Sequence, residues 1–362
     1  MSSSTDTDRM EGRPGVGEDK RQAAPGHRWM GCRYLKNGGR KVNSSNFVST
    51  AWNTPFIAQR ADPYILHEGD SFYFTASVPA YDRIVLRKAD TLEGLRNAPE
   101  KEIWHRHASG VMSWHIWAPE IHYLQGKWYI YFAAGEHDDV WEIRPWVLVC
   151  EGQDPLNDPW REAGKVQCAD PFTFVDFSLD MTVFETGGSL YCVWAEKVSV
   201  GKKISNLYIA RMKDPLTLET PQMLLTTPSY AWERHGFWVN EGPAFLEGED
   251  RVFLTFSASD TGPAYCMGLL WAEKDADLMD ISAWHKLNHP VFQTDEAKGL
   301  YGPGHNSFFT DEEGKTCMAY HARPYDEILG DPLYDPNRHC YILDVQWKDG
   351  MPVLDYMNQR FQ

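Results

Sequence analysis

The chain is short of several features that would have decided its class at once. None of its apolar runs approaches the ~18 residues of a membrane span. Basic residues are in deficit: 35 Lys and Arg face 51 Asp and Glu, giving a net charge of −16 over 362 residues. A surface of that sign repels nucleic acid and anionic membranes, so neither is expected as a partner, while neutral substrates such as sugars remain open. The seven cysteines, at 32, 150, 168, 192, 266, 317 and 340, contain no Cys-x-x-Cys. Their odd count argues against a full disulfide framework, and no zinc site is indicated. The N-terminus lacks the apolar core of a secretory signal, which leads to the expectation of a cytoplasmic protein. Helical periodicity is missing apart from one turn near Asp275–Ile281. Gly302-x-Gly304 lacks the Lys-Ser/Thr of a phosphate loop, and neither Gly-x-Ser-x-Gly nor His-Glu-x-x-His occurs.

Aromatic residues, by contrast, are plentiful, at 14% with 15 Trp. They fall in a layout that returns: an acid or histidine among small residues and proline, a short apolar strand, a turn, and an aromatic strand. Arg60–Ala76 gives the first example. Ala118-Pro-Glu-Ile-His-Tyr-Leu-Gln-Gly-Lys-Trp-Tyr-Ile-Tyr-Phe132 is the clearest copy, and three more begin near Leu179, Glu241 and Gly304. The polar heads Asp62, Glu120, Asp180, Glu241 and His305 are spaced by 58, 60, 61 and 64 residues. Each repeat has room for four strands, with Gly-containing turns between the first two. A near-constant period of this length in an all-β pattern predicts a five-bladed β-propeller over 46–362. A β-sandwich would not need such a period, and a β-helix would need a shorter one. Residues 1–45 are polar and aperiodic, and read as a disordered tail.

In a propeller the innermost strands begin on one face. Asp62, Asp180 and Glu241 would then meet at one mouth, and converging carboxylates in an aromatic setting point to glycoside hydrolysis, which needs an acid and a base. Taken singly, Asp62 before Pro63 and Glu241 before Gly242-Pro243 read equally well as turn residues. Glu120 heads a repeat without a catalytic role, as a structural acid. His105 and His107 alternate along a strand as surface residues.

Ala61-Asp62-Pro63, Trp117-Ala-Pro-Glu-Ile121, Ser178-Leu-Asp180, Val239-Asn-Glu-Gly-Pro243 and Tyr301-Gly-Pro-Gly-His-Asn-Ser307 resemble the motifs of glycoside hydrolase family 43. The likeness covers about residues 53–362. Gly126–Ala134 and Asp331–Arg338 are similar to the exo-acting 1,5-α-L-arabinofuranosidases of that family. The resemblance implies an inverting enzyme that releases terminal α-L-arabinofuranose from arabinan or arabino-oligosaccharides. A β-xylosidase, an endo-arabinanase and a sugar-binding propeller without catalysis are the alternatives. It implies Asp62 as general base, Glu241 as general acid, and Asp180 as the carboxylate that holds the acid and raises its pKa. Trp117, Tyr301 and Arg323 are the implied substrate-binding residues. His305 is implied at the channel, contacting a cation through water. No cofactor is required on this reading, and a structural calcium ion in the central channel is the one it allows.

Overall fold

The computed structural model describes residues 53–198 and 204–361. The expected disordered tail lies outside them. The fold is all-β. Its strands run in chain order as antiparallel sheets. The first sheet holds β1 (Ala61–Glu68), β2 (Ser71–Ser77), β3 (Arg83–Ala89) and β4 (Lys101–His105), and the second holds β5 (Trp114–Leu124), β6 (Lys127–Gly135), β7 (Arg144–Cys150) and β8 (Trp160–Gly164). The third is built on β9 (Ser178–Thr186), β10 (Ser189–Val198) and β11 (Ile204–Asp214), with the short β12 (Thr217–Leu218) and β13 (Met223–Thr226) both on β11. The fourth group is β14 (Trp238–Glu247), β15 (Arg251–Ala258), β16 (Cys266–Glu273) and β17 (His285–Lys286). It joins the third through a brief parallel pairing of Ile204 with Trp238 and Ser205 with Val239. The fifth sheet is β18 (Tyr301–Thr310), β19 (Thr316–Arg323) and β20 (His339–Asp344), and β21 (Gln346–Lys348) pairs with β22 (Met351–Val353) as a separate ribbon.

The first strands of successive groups adjoin one another: β1 lies against β5, β5 against β9, β9 against β14, β14 against β18, and β18 against β1. Apolar side chains fill the spaces between neighbouring sheets. Ile84, Ile130 and Leu148 pack between the first and second, and Tyr131, Val183 and Trp194 between the second and third. Val193, Leu254 and Leu270 lie between the third and fourth, and Leu269, Met318 and Leu343 between the fourth and fifth. Ile65, Phe74, Ala319 and Ile342 close the fifth onto the first. Most of these side chains alternate along strands buried on both faces, which is why the strands read as aromatic and aliphatic rather than strictly amphipathic.

Three local details differ from the sequence reading. A short helix, Leu92–Asn97, is capped by Thr91, whose hydroxyl accepts from the Gly94 N–H at 3.0 Å. At six residues it is too short to show a helical period. The turn expected near Asp275–Ile281 is a 3₁₀ turn at Ile281–Ala283. The fourth strand expected at Val353–Tyr356 does not join the fifth sheet. Its place beside β20 is shared by the start and the end of the described chain: the Phe56 N–H donates to the Cys340 carbonyl at 2.8 Å, the Cys340 N–H donates to the Ile57 carbonyl at 2.9 Å, and the Arg360 N–H donates to the Ile342 carbonyl at 2.8 Å, where Gln359 bridges Leu343. Phe56 and Ile57 are both buried, in the cluster between the fifth and first sheets. This contact ties the two ends of the described chain together. Ile57→Ala is therefore expected to lower unfolding stability by ~2–4 kcal/mol in urea titration. A loss below about half a kcal/mol would show that the closure is not needed.

Candidate active site

All five innermost strands carry the same irregularity. On each, three steps match two on its partner. Ala61 and Tyr64 face Ser77 and Thr75, and Trp117 and Glu120 face Ala133 and Tyr131. Leu179 and Thr182 face Ala195 and Val193, Glu241 and Ala244 face Ser257 and Thr255, and Gly304 and Ser307 face His321 and Ala319. This is a β-bulge, with one residue inserted and the side chain re-aimed. The first bulged residue has positive φ in every case: Asp62 (54°), Ala118 (45°), Asp180 (54°), Gly242 (51°) and His305 (42°). Glycine adopts this conformation freely, and Asp and His tolerate it better than most residues. Ala118 is the exception. The backbone thus favours the residue types that the chemistry uses. Position by position, the repeat runs through Ala118 and Gly242, and Glu120 and Glu241 are offset from it.

An inserted residue leaves its N–H without a ladder partner, and a buried N–H must find one. Asp62 N–H donates to His321 Nδ1 at 3.1 Å, Ala118 N–H to Ser77 Oγ at 2.8 Å, and His305 N–H to Ser257 Oγ at 2.7 Å. Each acceptor stands opposite the pre-bulge residue of the preceding sheet. In the third sheet that place is held by Ala195, which has no acceptor. The Gly242 N–H instead donates to Asp180 Oδ2 at 3.0 Å. Asp180 is thereby fixed to the residue following Glu241. A Cβ at Gly242 would lie in tight contact with the His305 ring, at 3.1 Å, and φ there is 51°.

Asp62 and Asp180 come together on His305, whose Nδ1 lies 3.4 Å from Asp62 Oδ1 and 3.8 Å from Asp180 Oδ2. All three are buried. Burial opposes charge on His305, but Asp180, Asp62 and Glu241 overcome it and raise its pKa. Burial likewise opposes charge on Asp62. The positive charges of His305 and Arg338, whose Nη1 lies 3.5 Å from Oδ1, win there and hold the carboxyl far below its ordinary range. Ser77 donates to Asp62 Oδ2 at 2.6 Å. His321 Nδ1 accepts the Asp62 N–H, so it carries no proton, and burial pushes the ring's pKa down to about 3. Its 3.4 Å approach to Asp62 Oδ1 is therefore not an ion pair. Burial, helped by Glu241 and Asp62, pushes Asp180 up to about 7 against His305. Burial also raises Glu241, against the bond from the Tyr265 hydroxyl to Oε1 at 2.8 Å and the charges of His305 and Lys197.

The remaining expected residues are placed as follows. Trp117 is 7% exposed, stacked on His115 with centroids 4.5 Å apart and edge-on to Tyr81. Its indole N–H is buried without a partner. Tyr301 opens β18 opposite Arg323. Arg323 is buried and committed to backbone: Nη1 donates to the Thr261 carbonyl and Nη2 to the Pro332 carbonyl, both at 2.6 Å. It anchors a loop, whereas the arginine facing the carboxylates is Arg338. Glu120 is buried against His122 Nε2 at 3.1 Å. His105 and His107 lie at the surface, facing Glu102 and Glu162. Among the described residues, no group of three or more His, Cys, Asp or Glu is arranged to hold a metal ion. His305 supplies one ring, and its Nδ1 faces two carboxylates. These residues do not fit a protein-held calcium, which prefers oxygen ligands.

Residues 52–352 match the model of the glycosyl hydrolases family 43. The chain belongs to that family. It is 48% identical over 307 residues to the extracellular exo-α-(1→5)-L-arabinofuranosidase of Streptomyces avermitilis, covering 84% of this chain and 63% of that protein. Family 43 thus accounts for most of the chain, while the chain spans less than two thirds of this relative. The protein of the same name from Streptomyces chartreusis is 46% identical over 283 residues, covering 78% of this chain and 85% of that protein. The crystal structure of an α-L-arabinofuranosidase from Lactobacillus brevis superposes with a TM-score of 0.78 at 47% identity, covering 83% of this chain and 95% of that one. One expectation is corrected here: the sequence leads to a cytoplasmic location, whereas both Streptomyces relatives are named extracellular. The cysteines at 150, 192, 266, 317 and 340 are free and buried. They behave as small core hydrophobes, which carries no information about compartment.

Sequence reading missed Ser77, Ser257, Tyr265, His321 and Arg338. One signal was present: Thr75-Ala-Ser77 and Thr255-Phe-Ser257 repeat at equivalent ends of β2 and β15. Ser77→Ala removes at once the acceptor for the Ala118 N–H and a donor to Asp62. It is expected to cost ~1–3 kcal/mol of stability by denaturant unfolding. A neutral substitution would mean that these groups find other partners.

Proposed function

We propose that the chain is an inverting glycosidase that releases terminal α-L-arabinofuranose from arabinan or arabino-oligosaccharides, on a five-bladed β-propeller. The propeller reading is supported by the ring of adjoining first strands and by apolar packing at each of five sheet junctions. The observation that carries the function is the gathering of Asp62 and Asp180 about His305, each at the bulge of a different strand, with Glu241 next to the Gly242 whose N–H bonds Asp180.

In this reading Asp62 is the base. It is held ionised by His305 and Arg338, so it is ready to take a proton from water at any ordinary pH. Glu241 is the acid. Burial keeps its proton on to higher pH than usual, as protonation of a leaving oxygen requires. Asp180 acts on the acid through the Gly242 N–H, fixing the backbone from which Glu241 projects.

Release of single sugars is supported by the segment between β19 and β20. From the fifth sheet it reaches the first and second: Tyr81 OH donates to the Leu333 carbonyl at 2.5 Å, and Tyr334 OH meets His115 Nε2 at 3.2 Å. Arg338 Nη2 donates to Tyr81 OH at 2.6 Å, joining this wall to Asp62. A wall on that side would close one end of a substrate cleft into a pocket. It also favours the exo reading over an endo-arabinanase, and the names of the relatives favour arabinofuranose over xylose.

Digestion of linear arabinan is expected to give free arabinose from the earliest time points by chromatography. Asp62→Asn, Asp180→Asn and Glu241→Gln should each reduce kcat ~10²–10⁴-fold with folding retained. An early ladder of mid-length oligomers, or near-full activity in one of the variants, would contradict the assignment.

A further inference from the structure

Tyr265, the residue just before β16, lies in no sequence motif and has no part in the roles above. It is 1% exposed, and its hydroxyl donates to Glu241 Oε1 at 2.8 Å. The ring is held on several sides. It stacks on His321 with centroids 5.7 Å apart and planes 7° from parallel. On another side is Gly304, where a Cβ would stand 2.4 Å from Tyr265 Cε1 and 2.8 Å from Ser257 Oγ. Glycine at 304 is thus what makes room for the ring. The Tyr265 N–H donates to the Gly262 carbonyl at 3.1 Å, which fixes its backbone.

We propose that Tyr265 is the positioning residue for the acid, occupying Glu241 Oε1 so that the acid proton is carried on Oε2 and delivered from there. The proposal rests on the reading of Glu241 as general acid. A neutral carboxyl accepts a hydrogen bond best at its carbonyl oxygen, so the Tyr265 hydrogen on Oε1 favours the form that carries the acid proton on Oε2. Burial, with the nearby Glu241 charge, raises the phenol's pKa well above its ordinary value, so Tyr265 remains a donor throughout. The step balances without further reagents. The Oε2 proton passes to the glycosidic oxygen as the anomeric C–O bond breaks with its electron pair to that oxygen. Water forms the new bond to the anomeric carbon and gives its proton to Asp62.

A substrate whose leaving group needs no protonation separates this role from packing alone. Tyr265→Phe keeps the ring on His321 and beside Gly304, and loses only the hydroxyl. It is expected to lower kcat/KM on arabinobiose, whose sugar alkoxide must be protonated, ~10–10²-fold. On 2,4-dinitrophenyl α-L-arabinofuranoside, whose phenolate leaves unaided, the loss should stay within about threefold. The second substrate also reports that the variant is folded. Equal losses on the two substrates by a variant that melts cooperatively, or no loss on arabinobiose, would overturn the assignment of Tyr265. Wild-type protein inactive on both would instead overturn the glycosidase reading on which it rests.

Discussion

The fold and the candidate site depend on one backbone constraint, the inserted residue at the start of each innermost strand. Its left-handed conformation turns a side chain out of the sheet and orphans an N–H in the interior. At Ala118, His305, Asp62 and Gly242 the orphaned N–H is met from the preceding sheet, by Ser77, Ser257, His321 and Asp180 in turn. Those bonds link neighbouring sheets at the level where the carboxylates stand. Satisfaction of the backbone and positioning of the chemistry are therefore one arrangement, and the residues that serve one serve the other.

The electrostatics follow from what this arrangement buries together. Two aspartates and a histidine in contact cannot all be neutral or all be charged without cost. His305 and Arg338 together face Asp62, whereas Asp180 shares the histidine, accepts one backbone N–H and stands near two further carboxylates. The two aspartates sit at equivalent positions of equivalent strands. They nevertheless diverge in proton affinity: burial opposes charge on both, but His305 and Arg338 overcome it at Asp62, whereas at Asp180 the Glu241 and Asp62 carboxylates add to it.

Much of this was legible in the sequence, and what was not has a physical reason. The period of about sixty residues and nearly every strand could be read, because each strand is a short aromatic and aliphatic run bounded by turn residues. Asp62, Asp180 and His305 were found at their structural positions. Glu120 and Glu241 were set in the same series, although the bulges fall at Ala118 and Gly242. A count of acids follows chemistry, and the backbone follows φ. The closing strand was sought at Val353–Tyr356, but Phe56 and Ile57 from the other end and Gln359 and Arg360 share that edge. Arg338 and His321 were invisible for the same reason: they reach Asp62 from more than 250 residues away. Arg323 looked like a ligand-binding arginine, and only its carbonyl partners show that it anchors a loop.

At the centre of the account is Asp62 acting on water rather than on the sugar. Both of its oxygens are already engaged, Oδ2 by the Ser77 hydroxyl and Oδ1 by the approach of His305 and Arg338. His305 and Arg338 keep it ionised, as either a base or a nucleophile requires; in retaining enzymes the acid and nucleophile stand only ~5–5.5 Å apart, whereas a base acts through an intervening water. Proton NMR of the anomeric region in the first seconds of hydrolysis of an α-L-arabinofuranoside tests this most directly. The account predicts that β-arabinofuranose appears first and then mutarotates. Initial release of the α-anomer would mean a covalent intermediate, and Asp62 would then be a nucleophile.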